Sequence, residues 1–178
     1  FRAGDVPFDY LENIHRIAQL RILLGDRVPV HADPVFFHEK ELPANVSRHM
    51  IAAISGVPMF SMDLEKLSRD NYRIVEHWLG FYLEHLDTFR NGHWHVEYEF
   101  DHLSYMSVSL MDENIIFLLH ENNFSETVLA FKGKIHVLNM SNSELETYSF
   151  RAYDCFGRKL ADGEAAPLGG RIEFVNEE

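Results

Sequence analysis

Two different periods of apolar residues divide the chain near Gly92. Over residues 1–90 apolar positions recur at helical spacing, interrupted by short apolar runs. Tyr10, Ile14, Ile17, Leu20 and Leu24 form one side of a first helix, with Glu12, His15, Arg16 and Gln19 away from it. Asp9 followed three residues later by Glu12 is a capping box, and Gly25 supplies a stop. "VPVHADP" predicts a short strand ending at Asp33–Pro34, where the proline argues against a fully paired central strand. A second helix is expected from Ala44, after Pro43, to Gly56, burying Val46, Met50, Ala53 and Ile54. "VPMFSM" reads as the next strand. Ser68 then caps a third helix with the stripe Ile74, Val75, Trp78, Leu79, Tyr82 and Leu86. Helix, strand, helix, strand, helix is the order of a parallel sheet with crossover helices.

After Arg90–Gly92 the period becomes two. "HWHVEYEF", "YMSVSL", "NIIFLLH", "TVLAF", "KIHVLNM", "TYSFRAYDCF" and "RIEFV" are strand-like and separated by turn-forming pairs. Short strands at that spacing predict an antiparallel β-sandwich. The expected fold class is therefore α/β followed by all-β, with one unit over residues 1–90 and another over 91–178.

Composition narrows the partners. At 178 residues, with 46% hydrophobic and 13% aromatic residues, the chain can bury one ordinary core or two small ones. A net charge of -12 argues against nucleic acid or an anionic membrane as partner, and is compatible with a neutral polar ligand such as a sugar. Runs such as "IIFLL" are too short to span a bilayer. No signal-peptide pattern is present, so a cytoplasmic location is the favoured expectation. Cys155 stands alone, which excludes an internal disulfide framework and a cysteine-based zinc cage; an inert buried thiol is expected there. Sequons at Asn45, Asn123 and Asn139 carry little meaning without secretion. No cofactor is expected.

A parallel barrel takes eight strand-helix units and roughly 250 residues, with its working residues where strands end. Here there are two units and the trailing edge of a third. On that reading Phe1–Ala3 closes a strand, Asp5 lies on the loop after it, and Asp33 follows the next strand. Asp9 has a sufficient role as a helix cap, whereas Asp5 does not.

"RAGD", then "LRILLGDRVPVHADPVFF", then "VSRHMIAAISGVPMFSMDLEKLSRDNYRIVEHWLGFY" resemble the final barrel segments of melibiase-type α-galactosidases. These are retaining glycoside hydrolases in which a barrel precedes a C-terminal β-sandwich. The resemblance covers most of residues 1–90; beyond that only the architecture agrees. It implies that Asp5, after Arg2 and Gly4, is the acid/base carboxyl, with Asp9 as the alternative because "GDVPFD" is terse. It implies that Asp33 of the Asp-Pro pair lies in the sugar site, together with His31 and Arg2. Arg2, like Arg16 and Arg21, is a candidate to orient a carboxylate bidentately, a role that surface helix arginines usually lack. The family's nucleophile stands on an earlier strand and has no counterpart in this chain. Retaining hydrolysis needs two carboxyls about 5–5.5 Å apart, so the chain alone is expected to be inactive. The implied partners are a carbohydrate substrate and the rest of the barrel, with self-association through the open apolar side.

Two other classes compete. In "GHWHVEYEF", His93, His95 and Glu99 fall on one strand face with the spacing that opens a cupin-type site for iron, zinc or manganese, and His120 or His136 would add a ligand. The glycines that frame such motifs are missing, with Asp87 in place of the first, which favours an ordinary strand face. A glycan-binding sandwich would use Trp94, Tyr98, Tyr105, Tyr148 and Tyr153 as stacking surfaces, although aromatic residues on strands are more often core.

Overall fold

The computed structural model describes residues 9–120, 131–145 and 151–176. Its helical part opens with α1 (Tyr10–Leu24), where Asp9 Oδ1 accepts from the Leu11 and Glu12 backbone N–H groups at 2.8 and 3.4 Å. Gly25 ends the helix at φ 71°, a left-handed conformation that a side chain disfavours. Strand β1 (His31–Val35) contains a cis Asp33–Pro34 bond. Helix α2 (Pro43–Ile54) begins on its proline, whose missing N–H would have had no helical partner there. Strand β2 (Val57–Phe60) lies parallel to β1, pairing His31 with Val57 and Val35 with Phe60. Ser68 caps α3 (Arg69–Glu84) by accepting from the Asn71 N–H at 3.1 Å. The third apolar stripe does not belong to one rod. The helix breaks at His85, and Leu86 falls in the short α4 (Leu86–Asn91).

From Gly92 the chain turns to strands, as its period requires: β3 (His93–Glu99), β4 (His102–Leu110), β5 (Glu113–Leu118), β6 (Gly133–Asn139), β7 (Arg151–Tyr153) and β8 (Arg171–Asn176). They make one six-stranded sheet in the order β3-β4-β5-β6-β8-β7. The expected all-antiparallel pairing needs a correction, because β5 and β6 run parallel, with Glu113 opposite Lys134 and Leu118 opposite Asn139. Parallel neighbours need a return connection of about a dozen residues or more, and residues 119–132 supply that length.

Alternation along the central strands places apolar residues on both sheet faces. Met106, Val108, Ile115, Phe117 and Leu138 join Ile14, Ile17, Met50, Ile54, Ile74 and Trp78 in one cluster, so a continuous core crosses the change of period at Gly92. Tyr105, Ile116, Leu118, Val137 and Ile172 face the other way, into a second cluster with Leu145, Leu160 and Ala166. Polar ties reinforce the first seam: Ser47 Oγ donates to the Gly169 carbonyl at 2.5 Å, and Arg48 donates to the Ser141 carbonyl. Gly92 makes the close approach possible, since a Cβ there would lie 2.7 Å from Val108 Cγ2. Among the described residues no helix is long and apolar enough to cross a membrane.

Candidate functional site at the strand ends

The β1–β2 pair has two unlike faces. Val30, Ala32 and Val35 are buried in the cluster built by the helices. His31 and Asp33 alternate with Ala32 and so lie on the opposite face. Met59 shares that face: its Sδ lies 2.9 Å from His31 Nδ1, and the residue is exposed. Beyond the C-terminal ends of the two strands, the loops enclose a cavity of about 320 Å³. Phe36, Phe37 and Met62 form its apolar wall, and His38, Glu39, Asp63 and Lys66 its polar rim. Lys66 and Asp63 face each other at 3.5 Å across the 3-10 turn Leu64–Lys66.

Several expected site residues fall elsewhere. The strand begins at His31 rather than ending near it, so His31 stands at the opposite pole from this cavity. It lines a cavity of about 550 Å³ between the strand starts, α4 and β3. Arg21 also lines that cavity, with its guanidinium 4.1 Å from the Trp94 ring centre and donating to the Val28 and Ser55 carbonyls. Burial lowers its pKa to about 10 against the opposing pull of Asp26. Arg16 pairs with Glu12 at 2.5 Å along α1. Asp33 stays at mid-strand, half-buried, one residue ahead of the cis proline. Asp9 serves as the helix cap. Arg2 and Asp5 lie outside the described residues.

His93, His95 and Glu99 do share the outer face of β3, alternating with Trp94, Val96 and Tyr98, which pack inward. They are not brought together as ligands. His93 Nδ1 lies 2.6 Å from Asp26 Oδ2, and His95 Nε2 lies 3.1 Å from Glu97 Oε2. His120 is exposed, with its ring 6.1 Å from that of His102. Among the described residues the convergent set is His85, Glu113 and His136, with all three ligand atoms within 4.8 Å of one another. Of these, only His136 carries a sequence-based expectation, as a ligand of a different cluster. The three come from separate elements with no motif spacing, so the sequence held no signal for the set.

The proposed stacking platform is largely core. Trp94 and Tyr105 are buried, with the Trp94 ring stacked 6.1 Å from Phe117. Tyr153 covers the Arg171 guanidinium at 3.8 Å, and Tyr148 lies outside the described residues. Of the sequons, Asn139 is fully buried and donates to the Ser143 and Pro167 carbonyls, Asn45 donates to Glu41, and Asn123 lies outside the described residues.

No protein-family model matches the chain, and no curated protein matches its sequence.

Proposed function

We propose that this chain is the C-terminal portion of an α-galactosidase-like retaining glycoside hydrolase, in which the helical part completes a (β/α)8 barrel and the six-stranded sheet stands where the C-terminal β-sandwich is expected and braces it. The supporting observation is the α1-β1-α2-β2-α3 order, with β1 and β2 parallel and a cavity beyond their C-terminal ends, where barrel enzymes hold their substrates. Neither outer edge of the pair carries another strand among the described residues, and Ile22 and Leu23 of α1 are exposed. Both features suit packing against further barrel units.

In this reading Asp5 protonates the departing glycosidic oxygen and then takes the proton from the attacking water. The nucleophile comes from an earlier barrel strand. Asp33 lies on the face that would line the barrel and accepts hydrogen bonds from sugar hydroxyls. Phe36, Phe37 and Met62 offer an apolar wall for the C–H face of a pyranose. His31, at the far pole, supports the strand start instead of the sugar.

Hydrolysis of an aryl α-galactoside tests the proposal. The purified chain at micromolar concentration is expected to release no more phenol than buffer. Joined to a polypeptide supplying the preceding barrel strands, it becomes active; Asp5→Asn abolishes that activity and Asp9→Asn lowers only stability. Turnover by the chain alone, or an active complete enzyme carrying Asp5→Asn, overturns the assignment.

A further inference from the structure

Three polar side chains from three elements converge where the α3–α4 junction meets the sheet. His85 occupies the break between the helices, Glu113 opens β5, and His136 stands in β6 on the helix-facing side with Leu138. His85 Nδ1 lies 2.9 Å from Glu113 Oε1, and His136 Nε2 lies 3.6 Å from the same oxygen. His136 is 1% exposed, and its Nε2 has no hydrogen-bond partner although it is aimed at that carboxylate. Its ring sits 5.4 Å from Phe81 and 4.7 Å from His85, surroundings that an apolar side chain would fill without stranding a nitrogen.

Charged and hydroxyl groups stand directly behind the cluster. The other nitrogen of His136, Nδ1, lies 3.7 Å from Glu173 Oε2, a carboxylate that Arg171 fixes by donating at 2.9 Å. Arg171 also approaches Nδ1 at 3.4 Å, a contact in which the guanidinium can only donate, so a cation on Nε2 requires the ring proton to move to Nδ1 and that contact to give way to Glu173. Glu113 Oε2 accepts from the Thr88 hydroxyl at 2.5 Å, which orients the carboxylate plane. Glu113 keeps a fifth of its side chain exposed, giving an ion and its water a way in.

We propose that His85, Glu113 and His136 bind one zinc-type divalent cation that fastens the α3–α4 junction to the sheet. Two imidazoles and a carboxylate form a donor set for zinc, with the fourth position left to water. Tetrahedral zinc with bonds near 2.0–2.1 Å separates its donors by roughly 3.3–3.4 Å. The separations of 2.9 and 3.6 Å lie on either side of that value. Calcium and magnesium demand more oxygen donors than the cluster offers. None of the three residues lines the cavity at the strand ends, so the site stands apart from the glycosidase proposal.

The chain is stripped with a chelator, dialysed and titrated with zinc chloride, and with cobalt chloride as a spectroscopic probe. One equivalent of zinc per chain is expected, with visible d–d absorption for cobalt. A hundred-fold excess of zinc over its Kd should raise Tm by about 5–10 °C. His85→Gln and Glu113→Gln, checked for folding by circular dichroism, should each weaken zinc binding by at least about 100-fold and remove the cobalt bands. The double variant His93→Gln/His95→Gln should bind as the parent does. Substoichiometric zinc at micromolar concentration overturns the assignment. So does undiminished binding in folded His85→Gln, or loss of binding in the β3 double variant. His136→Gln is not needed if it fails to fold, because the two more peripheral ligands carry the test.

Discussion

Replacing Ser47 by alanine removes a single oxygen from the seam between the helices and the sheet. That oxygen donates to the Gly169 carbonyl at 2.5 Å and accepts from Trp78 Nε1 at 2.6 Å, and both bonds are buried. Ser47 and Trp78 are each 0% exposed. Alanine therefore strands two groups that water does not reach, an indole N–H and a backbone carbonyl. Each costs about 1–3 kcal/mol when left unpaired, and allowing for partial relaxation the expected loss is about 2–4 kcal/mol. For a chain of this length that corresponds to a fall in Tm of roughly 5–15 °C. Urea unfolding followed by tryptophan fluorescence and far-ultraviolet circular dichroism measures it, with the midpoint moving and the slope unchanged. Trp78→Phe supplies the control, since it removes the indole donor along with some packing. In the double variant the orphaned N–H is absent, so the combined loss should fall short of the sum by about 1 kcal/mol. A Ser47→Ala loss below about 0.5 kcal/mol, or strictly additive single variants, would refute the shared hydrogen-bond node.

His49 packs its ring 5.3 Å from Tyr10 and 5.4 Å from Phe37, and burial lowers its pKa from 6.5 to about 4 against the opposing pull of Glu41 and Asp9. The unfolded chain thus takes up the proton first as pH falls. The stability this ring contributes is complete above about pH 6.5 and disappears toward pH 4, with about 2 kcal/mol lost between pH 7 and 5. Urea midpoints across that range should fall less steeply in His49→Gln, and an unchanged slope would count against the buried neutral ring. Cys155 has its thiol pushed up to about 11, chiefly by burial and then by Asp154. At pH 8 its alkylation by iodoacetamide should run more than about 100-fold slower than that of free cysteine, and a rate near the free thiol's would contradict the burial.

Local chemistry was legible in the sequence wherever a few neighbouring residues decide the outcome. The Asp9 cap, the Ser68 cap and the switch of period at Gly92 stand where the pattern placed them, and α2 starts on Pro43, one residue ahead of the expected Ala44, because capping and alternation act over four residues or fewer. Side-chain alternation likewise put His93, His95 and Glu99 on one face of β3. Strand β1 runs His31–Val35, beginning three residues further along than "VPVHADP" suggests, because the pairing with β2, and not the Asp33–Pro34 pair, sets which residues belong to it. Only the tertiary structure decided that β5 and β6 run parallel, since direction depends on where a long connection returns the chain. It alone seated Ser47 under Gly169, 122 residues away in the sequence, and brought His85, Glu113 and His136 together. Contacts of that range follow from how two apolar surfaces close on each other, and no local pattern encodes which polar groups are trapped between them.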